Sequence, residues 1–429
     1  MAGCSSTNNG GNPTASATNA GGDKVEEPPA KTVSGEITVL TARTDIVNTI
    51  LPEYAKKFNE KFPDVKVKFE ALQDYEGQIK IRMNTKDYGD VLYISPSITN
   101  DDIPDFFEPL GAYDELKEKY MLIEDRTVDG QVYGIPIAVT VPGVLYNKRI
   151  FNEAGVTEIP KTPAQFLEAL QKVKDNTEAI PLYTNYAAGW PLTQWQSYVQ
   201  TASGDIDYPN VKMLEDENPF AAGKPINDVY KILNDVVKNK LVEDDPFTTD
   251  WESSKVLLNE GKIATMVLGS WAISQVQGAG PNSQDIGYMP FPTNAAKLLV
   301  PMSSDYKIAV NKNSKNKEAA LAWLWWQTND SDYASALQSG FSALKGSATP
   351  EYLKPFEELG AELVISTPSP DNLVGMETKI DNEGEIGLWA DVFKKRIVES
   401  AVGNTKESYD DIMNDLGVRW AAAKKKVMP

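Results

Sequence analysis

Histidine is absent from all 429 residues of the sequence. This absence excludes acid/base catalysis by imidazole, serine or cysteine nucleophiles that a histidine base activates, and metal sites with imidazole ligands. Basic residues are also few, because 42 Lys and Arg stand against 61 Asp and Glu, for a net charge of −19. We therefore expect no nucleic acid among the partners of this protein.

Cysteine occurs once, at Cys4, so an internal disulfide bond and a site with several cysteine ligands are excluded. Small residues precede Cys4 and a polar segment follows it, as at the cleavage site of a bacterial lipoprotein signal. The apolar segment that normally precedes such a cysteine is missing, and an arbitrary N-terminal cysteine is the alternative. We predict a lipid on Cys4 and a flexible tether over residues 1–34, because residues 5–30 are mostly small and polar.

Long apolar runs are missing as well. The most apolar stretch is 263–268, which is far shorter than the ~18 residues that a membrane-spanning helix needs. Any attachment to a membrane must then come from the lipid on Cys4. With 41% hydrophobic and 24% charged residues, the composition is typical of a globular protein, and the length suits two domains.

The residues after the tether show clear secondary-structure periods. Residues 36–40 predict a strand, the apolar spacing over 46–58 predicts a helix, and the alternation over 65–69 predicts a second strand. Residues 91–94 predict a further, buried strand. Such strand-helix-strand units favour a parallel sheet covered by helices, so we predict an α/β fold. Thr162 is predicted to cap a later helix, because a proline follows it directly and a glutamine stands three residues on.

Several segments, taken in order, resemble one family of proteins. They are FNEKFPDVKV at 58–67, DGQVYGIPI at 129–137, LYNKRIFNEAG at 145–155, PKTPAQFL at 160–167, GKIATM at 261–266 with GSW at 269–271, and IGYMPFP at 286–292. Each match is short, but their number and order make the resemblance specific, and it extends from about residue 36 to the C-terminus. The sequence is similar to the extracellular solute-binding proteins of carbohydrate ABC importers, the family that includes maltose-binding protein.

The resemblance implies a two-lobed, hinged protein of the periplasmic-binding-protein type, with the ligand cleft between the lobes. The first lobe would contain residues 35–138 plus 303–346, and the second would contain residues 142–301 plus 350–429. The chain would cross between the lobes near 139–141, 302 and 347–349. Hinges of this kind close around a ligand, and open sheets bind ligands beyond the carboxyl ends of their strands.

The resemblance also implies a function without catalysis. The protein would capture a neutral oligosaccharide and deliver it to an ABC permease, which a cytoplasmic ATPase powers. It would act as a monomer without a cofactor or metal, on the extracellular face of the cytoplasmic membrane of a Gram-positive bacterium. The identity, linkage and length of the sugar stay open, because they depend on the placement of a few side chains.

Aromatic side chains are the first candidates for a sugar site, because flat rings stack on the weakly apolar faces of sugars. By similarity, Trp271 is placed at the cleft, where a buried strand ends and a helix begins. Trp190 and Tyr183 belong to a loop that resembles an aromatic cleft loop of the family, although Trp190 is equally compatible with packing on the next helix. Trp251 and Trp389 are further candidates, and for both an ordinary packing role is slightly favoured.

Polar side chains are the second group of candidates, because they exchange hydrogen bonds with sugar hydroxyls. By similarity, Arg43 lies in the loop after the first strand, Asp90 at the head of strand 91–94, and Ser95 just after that strand. Asp305 and Tyr306 lie beside the second predicted crossing. A calcium site at the acidic turn 381–385 is an alternative that the sequence leaves open, although such acids are usually solvated.

Two other functions remain as alternatives. A glycoside hydrolase would need two carboxylates about 5 to 9.5 Å apart across the scissile bond, and no spacing among the 61 acidic residues singles out such a pair. A surface adhesin or peptide-binding protein would use the same cleft for a different class of ligand.

Overall fold

The computed structural model describes residues 33–73, 75–95 and 97–428. Cys4 and nearly all of the predicted tether lie outside these residues, so the predictions about them stay predictions. Among the described residues, no helix combines the length and the apolar character that crossing a bilayer requires.

The strands are short and spread over the whole chain. They are β1 Gly35–Thr41, β2 Val65–Ala71, β3 Val91–Ile94, β4 Gly111–Ala112, β5 Thr127–Val128, β6 Gln131–Val132, β7 Ile135–Pro136, β8 Val139–Thr140, β9 Pro142–Asn147, β10 Ile180–Leu182, β11 Ile263–Gly269, β12 Ile286–Met289, β13 Leu299–Pro301, β14 Ser303–Ser304, β15 Lys307–Val310 and β16 Glu362–Val364.

Helices occupy more of the chain than strands do. They are α1 Ile50–Lys61, α2 Tyr75–Arg82, α3 Ile103–Phe106, α4 Tyr113–Leu116, α5 Lys148–Glu153, α6 Pro163–Asn176, α7 Trp190–Thr193, α8 Val199–Ser203, α9 Met213–Glu215, α10 Pro225–Lys238, α11 Trp251–Glu260, α12 Ala272–Gly278, α13 Lys317–Trp325, α14 Tyr333–Ala336, α15 Lys354–Glu358, α16 Met376–Gly384, α17 Val392–Val402 and α18 Tyr409–Val427.

The first sheet has the strand order β2-β1-β3-β15-β7. Its first three strands are parallel, as the strand-helix-strand pattern predicted, and β15 joins them antiparallel to β3. The predicted helix over 46–58 is shifted along the chain and begins at Ile50. Residues 46–49 form a turn instead, because the carbonyl of Ile46 accepts the N–H groups of both Thr49 and Ile50, at 3.2 and 3.0 Å.

The second sheet has the order β10-β11-β9-β12, with β10 parallel to β11 and β9 antiparallel to both of its neighbours. Helices cover it, and among them α6 begins as predicted. The side chain of Thr162 accepts the N–H of Gln165 at 3.3 Å, and the side chain of Gln165 accepts the N–H of Thr162 at 3.3 Å. This reciprocal cap fixes the start of the helix.

Two sheets with separate helical covers give the two-lobed α/β architecture that the sequence predicted. Three segments run side by side where the lobes join, because β8 pairs with β14 and Val139 also bridges to Phe341. The first two of these segments lie at the predicted crossings near 139–141 and 302. We retain the lobe boundaries given above as predictions.

Strand direction brings the functional edges of the two sheets together. In the first sheet, β1 and β3 end at the same edge at which β15 begins, since Lys307 pairs with Ile94. In the second sheet, β11 ends at the edge where β9 begins, since Gly269 pairs with Pro142. The crossing over 137–142 connects these two edges, so the loops that leave them face each other across the junction.

Candidate functional site

Three tryptophans of the second lobe come together in one cluster. Trp190 opens α7, Trp251 opens α11, and Trp271 follows the end of β11. Their ring centroids are 5.0 Å apart for Trp190 and Trp251, 5.6 Å for Trp190 and Trp271, and 5.9 Å for Trp251 and Trp271. All three keep some exposure to solvent. We call this cluster the aromatic wall, and it brings together three of the five aromatic candidates.

Local backbone features hold each ring in the aromatic wall. Gly189 has φ 75°, a conformation that favours glycine, and it turns the chain just before Trp190. The side chain of Asp250 caps α11 by accepting the N–H of Ser253 at 2.8 Å, which fixes Trp251 as the first residue of that helix. Gly269 leaves room for the Trp271 indole, because a Cβ there would lie 2.6 Å from the indole Nε1.

Tyr183 supports the aromatic wall rather than forming its surface. Its ring is 8% exposed, and its hydroxyl accepts the N–H of Asp250 at 3.1 Å. It therefore connects the loop after β10 to the start of α11. The hydroxyl of this predicted ligand contact therefore forms a bond that holds the start of α11, and with it Trp251, in place.

A polar cavity of about 410 Å³ lies on the first lobe, at the edge where β3 ends and β15 begins. We call its lining the acidic wall. Tyr306 contributes an aromatic floor, stacked on Tyr93 with 5.2 Å between ring centroids and 14° between planes. The other lining residues are Glu76, Ile94, Asp125, Arg126, Ser304, Asp305 and Lys307.

Glu76 has a hydrogen-bonding capacity that the protein leaves unused. One carboxylate oxygen, Oε2, accepts the hydroxyl of Ser95. The other oxygen, Oε1, is buried without a partner. A buried acceptor without a donor is costly, so a ligand hydroxyl at this position would relieve the cost. Ser95 acts here by orienting Glu76.

Arg43 and Asp45 lie between the two walls. The guanidinium of Arg43 binds both carboxylate oxygens of Asp45, at 2.8 and 2.7 Å, and donates to the carbonyl of Leu337. Burial opposes ionisation of Asp45, but Arg43 and, more weakly, Lys255 keep the pKa of this carboxyl below its usual value. Lys255 belongs to α11 and also lies 5.1 Å from the Trp251 ring, so this charge of the second lobe acts both on the aromatic wall and on Asp45 of the first lobe.

Two buried carboxyls near the walls have raised pKa values. Burial raises the pKa of Asp305 to about 6, although the N–H of Tyr306 and the charge of Arg43 limit the rise. Burial also raises the pKa of Glu243 to about 7, against hydrogen bonds from Thr184. Thr184 lies between Tyr183 and Trp190, so Glu243 lies beneath the loop that carries part of the aromatic wall.

Two of the predicted site residues lie apart from these walls. Asp90 precedes β3 and therefore lies at the opposite end of that strand from Ser95. Its oxygens accept the N–H of Thr38 at 2.8 Å and the hydroxyl of Ser314 at 2.5 Å. This carboxylate connects β1 to the segment after β15, and we no longer regard it as a ligand contact.

Trp389 is 57% exposed and donates its indole N–H to Glu377 at 2.9 Å. It makes no ring contact with the aromatic wall among those found in the described residues. Its exposure also disagrees with the alternative prediction, in which Trp389 is a core residue. The nearby Asp391 approaches Gly189, so the segment that carries Trp389 packs next to the turn before Trp190.

The acidic turn at 381–385 does not assemble a metal site. Asp381 accepts the N–H of Leu388 at 2.8 Å, and Glu383 forms an ion pair with Lys426 at 2.6 Å. In the part of the chain that the structure describes, no three acidic, cysteine or histidine side chains come together in a way that could hold a metal ion.

Comparison with known proteins identifies the family. Residues 44–334 match the family described as bacterial extracellular solute-binding protein. The chain belongs to this family. A similar relative is the multiple sugar-binding protein of Streptococcus mutans, 25% identical over 66% of this chain and 68% of the relative. The maltotriose-binding protein of Pyrococcus abyssi is 23% identical over 67% of this chain and 61% of that protein.

Solved structures of binding proteins resemble this chain over almost its whole length. An ABC-transporter binding protein of Bifidobacterium animalis subsp. lactis in complex with mannobiose has 32% sequence identity and a TM-score of 0.86, over 93% of this chain and 97% of that one. A manno-oligosaccharide-specific binding protein from the same organism, in complex with mannotriose, gives the same identity, TM-score and coverage. These likenesses confirm the two-lobed fold.

Several residues of this solute-binding protein that the structure connects to the walls are not among those predicted from the sequence. Glu76, Lys255 and Glu243 lie outside the segments that carried the resemblance. Glu76 had one available signal, its position in the first turn of a helix that follows the β2 strand. Neither its unused oxygen nor the burial of Glu243 has a signature in local sequence.

Proposed function

We propose that this protein captures a neutral oligosaccharide between its lobes outside the cell and delivers it to the permease of an ABC importer. The observation that carries the proposal is the pairing of the two walls. Three indole rings can stack on sugar faces, while the opposite lobe offers a buried, unpartnered carboxylate oxygen for a hydroxyl. Family membership and the sugar-binding relatives support the same function.

The ligand that we propose is a short manno-oligosaccharide of two or three units. Support comes from the two structurally similar proteins that hold mannobiose and mannotriose at 32% identity. The cavity of about 410 Å³ that the acidic wall lines on the first lobe is of a size that takes small ligands. We expect the acidic wall to disfavour ligands that carry a negative charge, because three acids (Glu76, Asp125 and Asp305) stand against two bases (Arg126 and Lys307) in its lining.

Calorimetric titration with a panel of glycans tests this function. The panel contains mannobiose, mannotriose, maltotriose, raffinose, diacetylchitobiose and a uronic-acid disaccharide, with short peptides as a separate arm. We expect saturable binding of neutral mannosides, no binding of the uronic acid, and compaction in X-ray scattering when the lobes close. Binding of peptides but of no glycan would contradict the proposal.

The same samples distinguish capture from hydrolysis. We propose that the protein makes and breaks no bond, so the glycan recovered after prolonged incubation is expected to be intact by chromatography. Steady release of shorter sugars, proportional to protein concentration, would instead establish a glycoside hydrolase. Heat-denatured protein at the same concentration is the control for contaminating enzymes.

We also propose that a lipid on Cys4 holds the protein at the outer face of the cytoplasmic membrane, where it acts as a monomer. The motive is the single cysteine among small residues, ahead of a polar segment. Cys4→Ser in a precursor with a complete signal is expected to release the protein into the medium with its sugar affinity retained. Retention of this variant in the membrane fraction would refute the anchor.

A further inference from the structure

A short segment of the first lobe reaches across the junction and binds the second lobe just behind Trp271. The segment is Leu337–Ser339, which follows α14. The hydroxyl of Ser339 accepts the N–H of Ser274 at 2.9 Å, and the hydroxyl of Ser274 donates to the carbonyl of Leu337 at 2.9 Å. Ser274 belongs to the first turn of α12, the helix that Trp271 precedes.

The first turn of α12 lacks a cap from its own sequence. Trp271 occupies the cap position with helical torsion angles, φ −52° and ψ −25°, and makes no side-chain capping bond. Free N–H groups in a first helical turn need acceptors, and serine is among the best side chains for that role. Ser339 supplies the acceptor from the other lobe. Trp271 therefore occupies the cap position without capping the helix. Ser339, which lies 68 positions further along the chain, supplies the missing hydrogen-bond acceptor.

The Leu337–Ser339 segment is itself firmly anchored on the first lobe. Arg43 donates to the same Leu337 carbonyl that Ser274 binds, and Arg43 is only 7% exposed. Tyr333 of α14 lies 3.0 Å from the hydroxyl of Tyr93, a residue of β3. These contacts attach the segment to the first lobe.

Ser339 has a backbone conformation that serine rarely adopts. Its φ is 42°, it is 4% exposed, and its carbonyl accepts the hydroxyl of Tyr352. A strained residue of this kind persists when surrounding contacts over-determine it, and such residues are enriched at functional positions. The following Gly340 passes so close to the crossing that a Cβ there would lie 2.7 Å from the carbonyl oxygen of Val139.

We propose that Ser339, with the Leu337 carbonyl, is a positioning residue that sets the orientation of the Trp271 ring from the opposite lobe. Gly269 leaves room for the indole on one side, and the Ser274 bonds hold the helix turn behind it on the other. The relative position of the two lobes and the orientation of the Trp271 ring are thereby coupled. The consequence for ligand affinity rests on the function proposed above, whereas the orientation of the ring does not.

Fluorine NMR on protein labelled with 5-fluorotryptophan tests the orientation directly and without ligand. The Trp271 resonance is assigned by its loss in Trp271→Phe. Ser339→Ala keeps the Cβ and the backbone torsion and removes only the acceptor, so we expect the Trp271 resonance to shift or broaden. Ser274→Ala removes the second bond independently and is expected to act on the same resonance. Ser335→Ala is the matched control, because its exposed hydroxyl bonds only to the nearby Asp332 carbonyl.

Affinity provides the second readout. With mannobiose as the probe, Ser339→Ala is expected to weaken binding by about fivefold, as the loss of one capping bond would. A change in the Trp271 resonance supports the inference even if mannobiose does not bind, in which case only the proposed function fails. If Ser339→Ala does not fold, Ser274→Ala decides the test. An unchanged Trp271 resonance in folded variants, with or without a loss of thermal stability, overturns the inference.

Discussion

The two walls of the cleft differ in chemistry and in the way the fold supports them. The aromatic wall consists of three indoles that begin helices or follow a strand, and caps and close backbone approaches hold them. The acidic wall consists of side chains around a cavity, in which Glu76 leaves an oxygen unpaired and Tyr306 stacks on Tyr93. One wall offers area to a sugar ring, and the other offers acceptors to its hydroxyls.

This difference separates affinity from selectivity. Stacking on a ring tolerates many sugars, because all of them have a weakly apolar face, whereas a fixed acceptor rejects a ligand that lacks a donor at that place. We therefore expect changes in the aromatic wall to weaken all glycans alike. Changes in the acidic wall are expected to alter the ranking among glycans.

Glu243→Gln gives the largest expected effect, a change in the pH dependence of stability. Glu243 lies beneath the loop that carries part of the aromatic wall. Burial raises the pKa of Glu243 to about 7 from 4.5, so the folded protein holds a proton there that the unfolded chain releases. The contribution of Glu243 to stability is therefore fully present below pH 4.5 and is lost as the pH rises through 7, by at most about 3 kcal/mol. The variant is expected to lose this part of the fall and to exceed the wild type in stability at pH 8.

Thermal denaturation at intervals between pH 4.5 and 8 measures this effect. Asp244→Asn is the matched control, because the exposed carboxylate of Asp244 is the immediate neighbour in sequence. Equal pH profiles for the wild type and Glu243→Gln would show that ionising the Glu243 carboxyl does not destabilise the fold. That result would contradict a pKa raised by burial.

Trp271→Ala removes a central ring of the aromatic wall. Loss of such an anchor is expected to weaken glycan binding by about 2 kcal/mol, roughly 30-fold. Trp271→Phe, which keeps a smaller flat ring, is expected to lose less. Calorimetry measures the affinity and circular dichroism checks the fold. Unchanged affinity in a folded Trp271→Ala variant would reduce this residue to a packing role.

The fold followed from the sequence where a local pattern is sufficient. The strands around residues 36–40 and 91–94 were predicted close to their observed bounds, and the Thr162 cap was predicted with both of its hydrogen bonds. The start of α1 was predicted four residues too early. The turn over 46–49 has the apolar spacing of a helix, but the N–H groups of Thr49 and Ile50 both donate to the Ile46 carbonyl. Periodicity does not distinguish these two states.

The site followed from the sequence only in part. Trp271, Trp190 and Trp251 came from a family resemblance and do form one cluster. Asp90 was assigned to the ligand by the resemblance, although its place before strand 91–94 puts it at the opposite end of that strand from Ser95. Glu76 was missed because its distinguishing property is a missing partner, which only the assembled neighbourhood defines.

Glu76→Ala tests whether the acidic wall ranks glycans. The loss of an ionised acceptor to a ligand hydroxyl is expected to weaken the preferred mannoside about tenfold, with a smaller loss for glycans that do not use it. Calorimetry across the glycan panel measures the change. Asp90→Asn is the matched control, since both Asp90 oxygens serve strand contacts and its affinity is expected to stay within about twofold. Equal weakening of every glycan by Glu76→Ala would contradict a selective role.

Trp389→Ala gives the smallest expected effect and locates the outer limit of the aromatic wall. Trp389 is more exposed than Trp190, 57% against 38%, and its indole N–H is already paired with Glu377. We expect disaccharide affinity to change by less than about twofold, while Trp190→Ala, which opens the ring cluster, weakens it several-fold. A longer glycan that extends past Trp190 would be affected more than a disaccharide. If Trp389→Ala weakens the disaccharide more than Trp190→Ala does, the ligand lies on the rim of the second lobe, and the acidic wall is then too distant to select it.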